Sequence, residues 1–233
     1  MAEPPAGVFV TGTGTEVGKT VAAAAIAHTL ASEGLEVSVF KPAVTGLDEP
    51  GEADHQLLRR AAGSTQSDEE IAPYRYGPPA SPHLAAAMAG EEIDRGRLLS
   101  AAGAAAADAD RLVCEGVGGL LVPLNAGSGR LTLGMREESA PPYLVRDFAA
   151  DLGLPLVIAA SPGLGTINHT LSTIEAARGA GLEVAAVVLT PWPEEPSEIE
   201  RSNRETIATL GAVEVKTLPR LDLANPDTWP ALR

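Results

Sequence analysis

The chain has 233 residues, of which 45% are hydrophobic but only 3% aromatic, and a formal net charge of −14. That length suits one α/β core built from Ala, Val, Leu and Ile, and the acidic balance argues against general affinity for nucleic acid or an anionic membrane, both of which need a positive field. Any phosphate binding must therefore be local. The opening MAEPPAG has neither a basic segment nor a long apolar one, and no run approaches the roughly 18 apolar residues of a membrane span, so a cytoplasmic location is expected. The single cysteine, Cys114, lies in the apolar run RLVCEG and reads as a small buried strand residue with no internal disulfide partner.

In chain order, a strand is predicted at 7–12 (GVFVTG), a helix near 18–33 and a second strand at 36–42 (EVSVFKP). Helices near 54–62, 82–90 and 95–107 precede a strand at 111–116, and a helix near 143–152 precedes another at 155–160. A helix near 168–180, a strand at 183–190, a helix near 197–210 and a strand at 213–219 complete the series. Several of the helices end at a glycine, among them Gly34, Gly63, Gly153 and Gly181. This alternation predicts a single domain over 1–233, a mostly parallel central β-sheet flanked by helices on both faces. Two stretches break it, TGLDEPGEAD (45–54) and PLNAGSGRLTLGMREESAPP (123–142). Both follow carboxyl ends of strands, where ligands of open α/β sheets bind, so both read as site loops.

The segment FVTGTGTEVGKT joins the first strand to the first helix. It ends as a P-loop does, but Gly12 and Gly18 bracket five residues where G-x-x-x-x-G-K-[ST] brackets four, with Thr13 where the strict motif wants glycine. A glycine-containing turn at the positive end of a helix offers a nest of N–H groups for phosphate. Lys19 adds a charge for the β- and γ-phosphates and Thr20 a hydroxyl for Mg²⁺. Gly14, Thr15, Glu16, Val17, Gly18, Lys19 and Thr20, with position 21, are the expected nucleotide-binding residues. From this loop alone a switch ATPase also stays open, although the partitioning type carries a second lysine early in the loop and none is present here.

The loop TGTGTEVGKT, with KPAVTG (41–46), EADHQLL (52–58), SPHLAA (81–86), CEGVGGLLVPL (114–124) and GLGTINHTLST (163–173), resembles the dethiobiotin synthetase family in order and spacing over nearly the whole chain. The resemblance accounts for the lengthened loop, and it implies a P-loop NTPase fold. The implied reaction is Mg²⁺-dependent closure of the ureido ring of dethiobiotin from 7,8-diaminopelargonic acid, CO₂ and ATP or another nucleoside triphosphate. It would pass through a carbamate and a carbamic–phosphoric anhydride. Lys41 and Lys19, with Thr13 and Thr45, are implied as catalytic residues. Thr20, Asp54 and Glu115 are implied as metal ligands. The family also implies a homodimer in which Gly165, Thr166, Ile167 and Asn168 receive the substrate carboxylate from the partner subunit.

The sequence departs from the family pattern in three places. Where many members carry an Asn-Asp pair that reads adenine, Thr190, Pro191 and Trp192 stand, which predicts relaxed or altered base preference with backbone contacts from Pro219, Arg220 and Leu221. Val117 replaces a smaller residue, and the 123–142 stretch is longer than in compact members, as a substrate lid or as surface decoration. His169 reads as a packing or capping residue, and Trp229 as an anchor for the C-terminus. An amide-forming synthetase such as the cobyrinic acid amidases is the alternative enzyme, disfavoured by the absence of a glutamine-hydrolysing domain.

Overall fold

The computed structural model describes residues 6–127 and 141–232. Eight strands are present among them: β1 (Gly7–Gly12), β2 (Val37–Phe40), β3 (Arg111–Gly119), β4 (Pro123–Asn125), β5 (Tyr143–Leu144), β6 (Leu156–Ala160), β7 (Val184–Trp192) and β8 (Glu214–Pro219). The helices are α1 (Lys19–Ser32), α2 (Asp54–Ala62), α3 (Asp68–Ile71), α4 (Pro82–Met88), α5 (Arg95–Ala106), α6 (Val145–Leu152), α7 (Thr166–Gly179) and α8 (Glu198–Gly211). Six strands form one parallel sheet in the order β2-β3-β1-β6-β7-β8, and β4 pairs with β5 antiparallel beside it. This is the expected α/β P-loop NTPase architecture.

The strand order fixes where a ligand can sit. From β1 the chain runs outward to β2, returns to β3 at the flank of β1, then crosses to β6 on the other side. The order therefore reverses at β1, and the loops leaving β1 and β3 part to leave a crevice at their carboxyl ends.

Alternation along each strand divides the core between the two faces. Phe9 packs with Phe40 and Phe148 on the α6 side, while Val10 meets the α1 side together with Val39 and Val113. Helix α1 presents Ala22, Ala23, Ala24, Ala25 and Ala27, all fully buried, so it has no polar face of the usual width. Small side chains let it lie close to the sheet and to α2 at once, which brings its first turn over the crevice.

The structure corrects several boundaries. Strand β3 continues to Gly119 and β7 to Trp192, past the expected ends at 116 and 190, because both pair with neighbours beyond a register shift. The helix expected from 143 starts at Val145, since Tyr143 and Leu144 are drawn into the β4 pairing. Helix α3 and the short strands β4 and β5 were not anticipated. Of the 123–142 stretch, residues 128–140 lie outside the described residues, so the lid expectation falls there.

Candidate active site

The phosphate loop is shaped by what its glycines permit. A Cβ on Gly12 would lie 2.7 Å from both Lys19 Cγ and Val17 Cγ2. Glycine there lets the Lys19 stem fold back across the end of β1, and the Lys19 ammonium donates to the Gly14 carbonyl at 2.7 Å. Gly18 has φ of 86°, and a Cβ there would meet Thr190 Cγ2 at 2.5 Å, so both backbone and packing demand glycine. Glu16 also holds a left-handed φ of 58°, strain of the kind stored at functional loops. Helix α1 has no side-chain cap and no acidic residue in its first turn, which leaves its N–H groups free for an anion.

Facing this loop is a buried ionic cluster. Lys41 follows directly on β2 and Glu115 lies within β3, so the two parallel strands bring their carboxyl ends together. Lys41 Nζ is 2.6 Å from Glu115 Oε1 and 2.9 Å from Asp54 Oδ2, and 3.5 Å from the Gly116 carbonyl. Thr20 Oγ1, in the first turn of α1, lies 2.9 Å from Glu115 Oε1 and 3.0 Å from Asp54 Oδ1. One hydroxyl proton can serve only one of those oxygens at a time. Glu115 is 0% exposed and its Oε2 has no hydrogen-bond partner among the described residues.

The electrostatics follow from burial and proximity. Burial alone would drive the Lys41 ammonium down, but Glu115 and Asp54 together outweigh it and hold its pKa above the ordinary lysine value. Lys41 in turn holds the Asp54 carboxyl below its ordinary value, against partial burial. Burial pushes Glu115 up, opposed by Lys41, and lowers Lys19, opposed by Glu115. Burial likewise pushes the Cys114 thiol up, which suits an inert core residue.

Two carboxylates and a hydroxyl form an all-oxygen donor set, and Glu115 Oε2 is a buried acceptor with nothing to accept from. Both features fit a hard divalent cation such as Mg²⁺. Among the described residues no group of three or more His, Cys, Asp or Glu could hold a metal, so phosphate and water would have to supply the remaining ligands.

Loop and cluster line one cleft of about 970 Å³. Gly14, Thr15, Glu16, Gly18, Lys19, Thr20 and Val21 form one wall, and Lys41, Thr45, Asp54, Glu115 and Val117 another. Pro79, Ala80, Ser81 and Pro82 close a third side. Thr13 and Val17 are not among its lining residues. Thr13 is held by its backbone N–H on the Ala159 carbonyl at 3.1 Å, and Val17 packs beneath the loop near Gly12. Gly165, Thr166, Ile167 and Asn168, at the start of α7, do not line this cleft either, nor do Pro219, Arg220 and Leu221 after β8. His169 is exposed in the first turn of α7. Trp229 is buried, packs edge-on against His28 and donates to the Asp222 carbonyl at 2.7 Å, as an anchor should. Sequence reasoning missed the Gly14 and Gly116 carbonyls as lysine acceptors, because backbone acceptors leave no residue signature.

The sequence matches the AAA domain family over residues 6–226. The protein named ATP-dependent dethiobiotin synthetase BioD of Anaeromyxobacter dehalogenans (strain 2CP-1 / ATCC BAA-258) is 42% identical over 205 residues, covering 88% of this chain and 85% of that protein. The protein of the same name from Bacillus subtilis (strain 168) is 34% identical over 210 residues, covering 90% and 84%. Among solved structures, the signal recognition particle receptor FtsY of Elizabethkingia anophelis superposes with a TM-score of 0.51 at 15% identity, over 100% of this chain and 63% of the receptor chain, a likeness of fold alone. These relatives, at 34–42% identity, cover 88–90% of this chain, and the chain belongs to the dethiobiotin synthetase family.

Proposed function

We propose that this protein is an ATP-dependent carbon–nitrogen ligase that closes the ureido ring of dethiobiotin, with 7,8-diaminopelargonic acid, CO₂ and a nucleoside triphosphate as substrates. The observation that carries the reading is the buried Lys41 ammonium, 2.6 Å from Glu115 and 2.9 Å from Asp54, across the cleft from a phosphate loop. One substrate amine adds to CO₂ and loses a proton, giving a carbamate. A carbamate oxygen attacks the γ-phosphorus, the bond to the bridging oxygen breaks, and the nucleoside diphosphate leaves. The second amine then attacks the carbamoyl carbon, phosphate departs, the amine proton is lost and the ring closes.

The chain's residues serve charge placement and geometry rather than covalent chemistry. Lys19 and the loop N–H groups bind the phosphates, and Lys41 lies where the carbamate and the transferred phosphoryl group meet. Thr45, which lines the same wall, donates to the carbamate or the substrate amine; Thr13, which does not line the cleft, is assigned to the carbamate side of the loop on the family resemblance alone. Thr20, Asp54 and Glu115 would hold Mg²⁺, which when bound neutralises charge on the phosphate oxygens. Glu115→Gln should raise the Mg²⁺ concentration needed for half-maximal activity, and an unshifted titration would remove Glu115 from the metal.

Three finer proposals follow, the first from the family resemblance, the second from the alternation of strands and helices along the chain, and the third from the departure at Thr190, Pro191 and Trp192. The start of α7 receives the substrate carboxylate of a partner subunit in a homodimer, and residues 1–233 act as one domain. Thr190, Pro191 and Trp192 with Pro219, Arg220 and Leu221 form the base side, reading it by stacking and backbone contacts, so base preference is relaxed. Assays with CTP, GTP and UTP beside ATP test the last point, and a strict adenine requirement would sink it.

A further inference from the structure

Asn203 sits in the second turn of α8, 7% exposed. A buried asparagine must find partners for its amide protons. Both are used on a single target: Nδ2 donates to the Pro162 carbonyl at 2.9 Å and to the Gly163 carbonyl at 3.1 Å. These two carbonyls belong to the turn Ser161–Gly165, between the carboxyl end of β6 and the first residue of α7. The Gly163 carbonyl also accepts the Thr166 N–H at 3.3 Å, so Asn203 and the opening of α7 grip the same atom.

Pro162 is buried at the start of the turn, and the part after it is more open. Gly165 caps α7 with φ of 91° and no side-chain cap, and a left-handed glycine leaves its own conformation weakly determined. Leu164 is 95% exposed and contributes no packing. Asn203 thus reaches from a separate helix, 40 residues away in sequence, to add two hydrogen bonds to a turn whose own backbone supplies the Thr166 N–H bond to Gly163.

We propose that Asn203 is the positioning residue of the substrate's acid end: by clamping Pro162 and Gly163 it fixes the direction of the α7 N-terminus that receives the diamine's carboxylate. The proposal rests on the α7 reading given under Proposed function. Asn203 does not touch substrate. Its removal leaves the Pro162 carbonyl without the Asn203 donor and the Gly163 carbonyl with the Thr166 N–H, and lets the turn relax, so the cost falls on carboxylate binding and not on the phosphate loop.

The test uses the full-length protein and two diamines, 7,8-diaminopelargonic acid and 7,8-diaminononane, which lacks the carboxylate. Asn203→Ala should raise KM for the acid by about tenfold, the scale of one or two hydrogen bonds. KM for ATP and the inhibition constant of diaminononane should stay within about twofold. Asn203→Ser, which keeps one donor, should fall between. If the wild-type protein binds both diamines equally, the α7 reading fails and the proposal with it. If the wild type favours the acid but both variants shift the two diamines alike, or shift neither, Asn203 is not a positioning residue while the α7 reading stands. Thermal unfolding of each variant separates these outcomes from loss of the fold, and should Asn203→Ala not fold, the Ser variant carries the same comparison.

Discussion

Lys41 and Glu115 form a 2.6 Å ion pair with 3% and 0% of their side chains exposed, and the proposed function gives the pair a part in both stability and chemistry. Breaking a buried pair from one side costs about 3–5 kcal/mol, because the remaining charge is left unpaired. Lys41→Met should therefore lower stability in urea by an amount of that order and abolish ring closure while nucleotide binding stays measurable. Adding Glu115→Gln to it should recover part of the stability and none of the activity. If the single variant were as stable and active as the wild type, Lys41 would be neither a counter-ion nor a catalytic residue. The pH dependence has a definite sign. Asp54 is depressed in the folded state, so its contribution is present above its ordinary value of 3.8 and lost as pH falls through the folded value. Lys41 is raised, so its contribution is present below 10.5 and lost as pH rises through the folded value. Unfolding midpoints measured against pH should fall at both ends, and the alkaline fall should shrink in Lys41→Met; an unchanged alkaline limb would contradict the assignment.

At the scale of elements, the phosphate loop and the end of β7 are one packed unit. Thr190 Cγ2 occupies the space beside Gly18, so Gly18→Ala combines a left-handed backbone penalty of about 1–2 kcal/mol with a steric clash. Thr190→Ser removes the methyl group and should rescue the clash but not the backbone part. Urea denaturation of the two single variants and the double variant measures this, and strictly additive effects would contradict the contact. The same elements mark how far the sequence could be read. The six strands of the parallel sheet were legible because each is a β-branched or apolar run between turn residues. Strands β4 and β5 were not, since three and two residues carry no usable periodicity. Helix α3 left a signal that went unused: Ser67 accepts the Glu70 N–H while Glu70 accepts the Ser67 N–H, a capping box visible in QSDEEI. Lys41, Asp54 and Glu115 could be gathered only through family resemblance, for they lie just past β2, at the start of α2 and within β3, and no local spacing joins them. Asn203 was invisible for the same reason, its partners being 40 residues upstream.

Over the whole molecule, two lysines stand in one cleft of an acidic protein, beside Glu16, Glu49, Asp54 and Glu115. A net charge of −14 coexists with Lys19 and Lys41, both buried and both turned toward one crevice. Any phosphate binding there depends on contacts within a few ångströms, inside the roughly 10 Å over which exposed charges are screened at 0.1 M salt. The exposed side chains of Leu47, Leu121 and Leu164 stand on segments that follow strand ends, and Leu84 and Met88 share a face of α4. A homodimer would cover apolar surface of this kind, and sedimentation velocity should give a dimer at micromolar concentration; a monomer there would leave the α7 carboxylate site without a cleft to serve. No helix among the described residues is long and apolar enough to cross a membrane. The most direct measurement is phosphate release by the purified protein with ATP, Mg²⁺ and bicarbonate, with and without 7,8-diaminopelargonic acid, with mass detection of dethiobiotin. Release that depends on the diamine and matches dethiobiotin mole for mole is the expected result. Hydrolysis indifferent to the diamine, with no dethiobiotin from any nucleotide, would contradict the acceptor role of the Lys41 cluster while leaving the phosphate loop intact.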